Sequence, residues 1–283
     1  MEQIIDLRFA GISIRILSPV SVEIPETIQP FLAEIGQPDE IFRIQLLPEP
    51  MELPQNPVYA SALWNVYREP DGWTRIKLGK SYNQEGQVAC RLRDTGEHTL
   101  YLPVKDFALR FRTLITPLLA PEYLLSRRNG FLLHSSVVQL QDKVVLFCGP
   151  SGIGKSTQAE LWRTHLGADI LNGDRCAVTL REDGFWGSGS PYSGTSGIYK
   201  PDEGPITAIV LLQQSSENTI RKATTKEIAQ AFYRETITNT WDQAFIQHSL
   251  NILDRLIQTV PVYTLHCRPD AEAAQLAFET IYM

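Results

Sequence analysis

The stretch Gly149-Pro150-Ser151-Gly152-Ile153-Gly154-Lys155-Ser156-Thr157 constrains this chain more than any other. It matches the phosphate-loop spacing G-x-x-x-x-G-K-[ST], in which glycines let the backbone turn close to an anion. Its flanks agree. Lys143 to Cys148 is a short apolar run of the kind a buried strand makes, and Gln158 to Trp162 is compatible with a helix. The unpaired N–H groups at the start of such a helix point at phosphate oxygens. The candidate nucleotide-binding residues are therefore Gly149, Ser151, Gly152, Ile153, Gly154, Lys155, Ser156 and Thr157. In a loop of this kind Lys155 sits on the β- and γ-phosphates, Ser156 holds Mg²⁺, and Thr157 helps with the α-phosphate. The expected ligands are ATP and Mg²⁺, with GTP left open.

The rest of the chain can supply a scaffold. Its 283 residues suffice for one large domain or two modest ones, and 43% of them are hydrophobic. A net charge of −6 gives no bulk signal for a nucleic-acid partner. No run approaches a membrane span, so no membrane partner is expected. The N-terminal Met1-Glu2-Gln3-Ile4-Ile5-Asp6 lacks a basic region and a long apolar core, so no secretion signal is read there. Cys90, Cys148, Cys176 and Cys267 form no CxxC pair. Metal-ligand spacing is thus absent, and reduced thiols in a cytoplasmic protein are expected.

In chain order, residues 1–104 read as a β-rich N-terminal domain. Strands are expected at Gly11–Ile16, Ile41–Leu46, Leu63–Tyr67, Trp73–Leu78, Val88–Leu92 and His98–Leu102, the last four as a meander. A short helix is expected over Ile28–Ile35, and Pro48, Pro50, Pro54 and Pro57 argue against a regular element between the second and third strands. Trp64, Tyr67 and Trp73 are expected to pack, not to bind. Residues 105–128 read as a helical connector, kinked or split by Pro117 and Pro121.

Residues 129–283 read as the nucleotide domain. Phe131–Leu140 and the strand ending at Cys148 form a hairpin about Gln141-Asp142. Further on, Ile206–Leu212 and Val260–Cys267 read as strands, and Lys226–Ile237, Trp241–Ile257 and Ala271–Tyr282 as helices. This alternation predicts an α/β fold. An antiparallel hairpin that runs straight into a phosphate loop departs from the usual βαβ arrangement.

The run HSSVVQLQDKVVLFCGPSGIGKST, residues 134–157, resembles the core of the HPr kinase/phosphorylase and PEP-carboxykinase-like group. The resemblance covers about the second half of the chain. It implies a phosphate-loop nucleotide domain with a mixed sheet, preceded by a smaller β-rich domain. It also implies kinase activity with ATP and Mg²⁺, a His near the phosphates at His134, and homo-oligomeric assembly. Kinases of the group carry two adjacent acidic residues after a short strand, one for Mg²⁺ and one acting on the acceptor hydroxyl. Here that pair is Gly173-Asp174, so Asp174 remains and its neighbour is missing. Asp169 replaces the missing carboxylate only if the strand register shifts. In the group the region corresponding to the Gly/Ser-rich stretch Gly184–Gly197 closes over the substrate end of the site, while by composition alone the stretch also reads as a flexible linker. The first half of the chain does not resemble the N-terminal domain of HPr kinases. The whole is closer to HPr-kinase-related proteins encoded beside peptide-modification genes.

The catalytic candidates are Lys155, Asp174 and His134, and the metal candidates are Ser156 and Asp174. Arg175 and Lys200 are weaker candidates for phosphate contacts. The principal expectation is a phosphotransferase that passes the γ-phosphoryl group to a hydroxyl on a small molecule, peptide or protein. A second reading, motivated by Gly173, is a nucleotide-dependent binding or scaffold protein. A third is a plain hydrolytic switch.

Overall fold

The structure, a computed structural model, describes residues 2–49, 51–78, 85–105, 107–192, 194, 196–237 and 239–283. Pro50, Ser193 and Thr195, which belong to stretches singled out above, lie outside the described residues. The chain divides into two compact units, Met1–Pro121 and Glu122–Met283.

The first unit is built on one mixed sheet. Its strands are β1 (Gln3–Phe9), β2 (Ile12–Ser18), β3 (Glu40–Leu47), β4 (Met51–Glu52), β5 (Tyr59–Ala60), β6 (Trp64–Glu69), β7 (Gly72–Leu78), β8 (Glu85–Arg93) and β9 (Glu97–Pro103). The helix α1 (Phe107–Leu118) follows. Strand order is β1-β2-β3-β9-β8-β7-β6-β5, with β4 paired to β8. The meander β6 to β9 is antiparallel as expected, whereas β3 runs parallel to both β2 and β9. The helix expected over Ile28–Ile35 is only a single 3₁₀ turn at Gln29–Phe31. Pro30 fits the start of such a turn, and the next residue, Leu32, is already extended. Phe31 is nonetheless fully buried, so the turn serves to bring one aromatic side chain into the core. Tyr67 and Trp73 are buried, and Trp64 carries the guanidinium of Arg75 over its ring at 4.7 Å.

The second unit continues with α2 (Pro121–Ser126), β10 (Gly130–Leu140), β11 (Lys143–Cys148), α3 (Lys155–Leu166), β12 (Asp169–Asn172), β13 (Arg175–Arg181), β14 (Gly184–Ser188) and β15 (Glu203–Gln214). It closes with β16 (Thr219–Lys222), α4 (Thr225–Glu235), β17 (Thr236–Ile237), α5 (Gln243–Thr259), β18 (Val262–Cys267) and α6 (Ala271–Tyr282). The expected hairpin is present. Gln141 and Asp142 both have positive φ, 51° and 61°, as a two-residue turn between right-twisted strands requires.

The sheet is mixed, in the order β11-β10-β13-β14-β15-β18-β16. Strand β11 also pairs in parallel with β15, so its apolar run has neighbours on both sides. Side chains alternate across a strand, and here they divide between two cores. Val144, Leu146 and Cys148 face one core together with Phe232 of α4 and Ile252 and Leu256 of α5. Val145 and Phe147 face the other with Trp162 of α3 and Ala274 and Ala277 of α6. A strand buried on both faces reads as a continuous apolar run, which is why β11 shows no alternation in sequence.

Strand β10 is the hub. From Gly130 to His134 it pairs with β13, and from Ser135 to Leu140 with β11. The sheet therefore forks between His134 and Ser135.

Candidate functional site

The phosphate loop, His134 and Asp174 all lie around that fork. Ser135 pairs with Cys148, the last residue before the phosphate loop. His134 pairs with Arg175, the first residue of β13. The turn Gly173-Asp174 links β12 to β13 and is tied to β10 by the Ser135 N–H, which donates to the Asp174 carbonyl at 3.0 Å. One strand thus brings together the loop, the histidine and the carboxylate.

The loop ends at Gly154, which caps α3 with a left-handed φ of 114°, a conformation any L side chain resists. No side chain caps this helix, and it has no acidic residue in its first turn. An uncapped helix start leaves N–H donors and a partial positive charge for an anion. Lys155 follows at once and is 6% exposed. Its ammonium donates to the Gly149 carbonyl at 2.7 Å. Burial lowers its pKa, while Glu235, then Cys148 and Asp174, act in the opposite sense. Glu235 and Asp174 therefore both lie within electrostatic reach of the loop lysine. Burial also pushes up the thiol of Cys148, so it is an inert core residue.

Asn172 shapes the other side. Its side-chain oxygen accepts from the N–H groups of Asp174 and Arg175, both at 2.8 Å. Its amide nitrogen donates to the carbonyls of Ser190 and Tyr192 at 2.8 and 2.7 Å. One fully buried amide thereby fixes both the acidic turn and the Gly/Ser-rich stretch just after it leaves β14, the first five residues of the stretch, Gly184–Ser188, being strand and not loop. That loop packs on the turn. A Cβ on Gly194 would lie 2.7 Å from the Asp174 carboxyl carbon, and one on Gly173 would lie 2.4 Å from the Ser196 hydroxyl oxygen.

Asp174 is half-buried. Its carboxylate stands 3.6 Å from His134 Nε2 and 3.2 Å from Arg175 Nε. The Arg175 guanidinium lies over the Tyr192 ring at 4.5 Å. His134 Nδ1 is 2.7 Å from the carboxylate of Glu235, a residue 101 positions away. Glu235 is 4% exposed and was not among the sequence candidates. Nothing local marks it, because it ends an amphipathic helix where a charged residue looks like part of a solvated face. The expected helix over Lys226–Ile237 stops at Glu235. Thr236 and Ile237 turn extended and pair with Leu133 and Leu132 of β10.

Two other candidates fall elsewhere. Asp169 opens β12, where its register partner is Gln139, and it is bound by Lys200 at 2.6 Å. It stays on the exposed rim, so it does not substitute for the carboxylate absent at position 173. Lys200 is spent on the same contact.

The residues present fit a nucleotide with a hard divalent cation. They offer an open cradle at the head of α3, a buried lysine, a serine hydroxyl and an oxyanion donor in Asp174. Among the described residues no group of three or more His, Cys, Asp or Glu side chains forms a ready metal cage. Beside the cradle, a cleft of about 470 Å³ is lined by Gly152, Gly154, Thr157, Gln158, Gln214 and Arg268, among others. The described residues include no helix long and apolar enough to cross a membrane.

A family model described as an AAA domain, AAA_33, matches residues 144–276, from β11 into α6. No curated protein sequence matches the chain. Among solved structures, the Hpr(Ser) kinase/phosphatase from Coxiella burnetii is similar at 12% identity with a TM-score of 0.31, over 53% of this chain and 87% of that one. The second unit is an α/β domain with the phosphate-loop motif at the head of α3, matched by that AAA model from β11 into α6, and the first is β-rich.

Proposed function

We propose that the chain is an ATP- and magnesium-dependent phosphotransferase acting on a hydroxyl of a small molecule, peptide or protein. The observation that carries this reading is the cluster at the fork of β10, where Asp174 stands 3.6 Å from His134 and acts electrostatically on Lys155. A loop that only held a nucleotide would need the cradle and the lysine. It would not need an imidazole and a carboxylate gathered on the next turn.

In this reading the backbone from Gly149 to Thr157 grips the phosphates, with Ser151 exposed on the loop and the Ile153 side chain packed against the core beneath it. Lys155 neutralises charge on the transferring group. Ser156 and Asp174 would hold Mg²⁺, which when bound offsets the negative charge on the phosphate oxygens. Asp174 orients the acceptor hydroxyl, and His134 Nε2 takes its proton as the new O–P bond forms and the β–γ bridge bond breaks. Positioning and charge stabilisation do most of the work in such transfers. The four cysteines are free, which supports a cytoplasmic location. Self-assembly remains part of the proposal.

A second reading has its own observation. The place of the missing carboxylate is filled by Ser196, so the nucleotide could serve to order the Gly/Ser loop for a binding partner. One experiment separates the readings. The protein is incubated with magnesium and γ-labelled ATP against fractionated small molecules, peptides and proteins. Label on an acceptor is expected. Label left on ATP would favour the binding protein, and free phosphate without an acceptor would favour a hydrolytic switch.

A further inference from the structure

We infer that Glu235 is the positioning residue for His134, fixing the ring so that its proton sits on Nδ1 and its open lone pair on Nε2 faces Asp174. This rests on the phosphotransfer reading above and adds a residue to it.

The placement is built from two directions. Upstream, α4 is anchored by a capping box. Thr224 accepts from the Glu227 N–H at 3.3 Å, and the Glu227 carboxylate accepts from the Thr224 N–H at 2.8 Å. Downstream, the register Leu133↔Thr236 and Leu132↔Ile237 clamps β17 to β10. Continuing that antiparallel register by one step sets His134 opposite Glu235. Glu235 is the last residue of α4, one step before this clamp, and its carboxylate meets His134 Nδ1 at 2.7 Å.

The identity of the residue is locally unfavourable. Glu235 ends α4, where the helix carries partial negative charge, and it is buried at 4% exposure. A carboxylate there costs stability, and glutamate is rarely fully buried without a partner. A residue kept against local preference marks a position held for another purpose.

The chemistry names that purpose. An ionised carboxylate only accepts hydrogen bonds, so the imidazole nitrogen facing it must carry the proton. In a neutral ring the other nitrogen is then the acceptor. That nitrogen is the one 3.6 Å from Asp174, beyond hydrogen-bond reach, so Asp174 does not hold a proton there as Glu235 holds one on Nδ1 at 2.7 Å. Without Glu235 the ring is free to take the other tautomer or to turn away. Partners of this kind, one bond removed from the reacting group, typically alter activity by about 10–100-fold when lost.

The test uses the full chain and four variants: Glu235→Ala, Glu235→Gln, His134→Ala and the Glu235→Ala/His134→Ala pair. Nitrogen-15 imidazole spectra are recorded at alkaline pH, without nucleotide. The wild type is expected to show His134 protonated on Nδ1. Glu235→Gln is expected to keep that tautomer, because its amide oxygen accepts the same bond, and Glu235→Ala is expected to lose it. With magnesium-ATP and an acceptor, Glu235→Ala should lower kcat by about 10–100-fold with KM for ATP unchanged. Glu235→Gln should recover most of that loss, and the double variant should be no slower than His134→Ala alone. A wild-type proton on Nε2 would overturn the inference, as would a full further loss on adding Glu235→Ala to His134→Ala. If Glu235→Ala fails to fold, a Glu235→Leu variant, which fills the space without an acceptor, decides: loss of the Nδ1 proton is expected, and its retention would overturn the inference. Absence of transfer by the wild type would overturn the phosphotransfer reading instead, while the spectra would still decide the tautomer.

Discussion

Lys155 is held at a cost. It is almost fully buried, and that burial lowers its pKa below the ordinary 10.5. The unfolded chain then binds the proton more tightly, so stability rises with pH in the window just below 10.5. Lys155→Met keeps the length and removes the charge. It is expected to melt at or above the wild-type temperature at neutral pH, and to lose the alkaline rise in stability. Scanning calorimetry across pH checks this, and a drop of several degrees in the variant would contradict it. Gly173 makes the opposite case, a position where a carboxylate cannot simply be put back. A Cβ there would lie 2.5 Å from Ser196 Cβ, so Gly173→Asp is expected to cost about 1–3 kcal/mol by overpacking. Adding Ser196→Gly should restore part of the loss, as urea midpoints would show. At this scale the sequence was informative where chemistry is local. The glycines and lysine of the loop and the Gly173-Asp174 pair were all visible. Glu235 was not, because its meaning comes from a strand 101 residues away.

Among the elements, α3 matters most, because it presents the loop. Trp162 pins it to the sheet, fully buried against Phe147 with ring centroids 5.5 Å apart. Burial of so large a side chain stabilises the pairing of helix and sheet, and removing it leaves a cavity. Trp162→Ala is expected to destabilise the second unit by about 3–5 kcal/mol, read from denaturant unfolding; a loss under about 1 kcal/mol would mean the helix is held otherwise. Strands with alternating or continuous apolar patterns were legible in the sequence. Element ends were less so. The pattern over Lys226–Ile237 stays amphipathic through Glu235, yet Thr236 and Ile237 leave the helix because two β-branched residues gain a strand partner in β10. Likewise Ile28–Ile35 has helical spacing, but Pro30 and the extended Leu32 reduce it to one turn.

At the scale of the molecule, the α/β class was legible because strands and helices alternate through the second half. The topology was not. The parallel pairs β11–β15 and β15–β18 join segments far apart in sequence, and no local pattern encodes them. Nor did any pattern announce the fork in β10 that gathers the loop, His134 and the Asp174 turn. That fork is also why the phosphate-loop sequence has an imidazole and a carboxylate gathered beside it. On the proposed reading this cradle grips a magnesium-bound triphosphate. Titration calorimetry of the full chain with magnesium-ATP tests it most directly. Saturable one-to-one binding with a Kd in the micromolar range, about −8 kcal/mol, is predicted, together with marked weakening in Lys155→Ala. No heat of binding from the folded wild-type protein, or equal affinity in the variant, would contradict it.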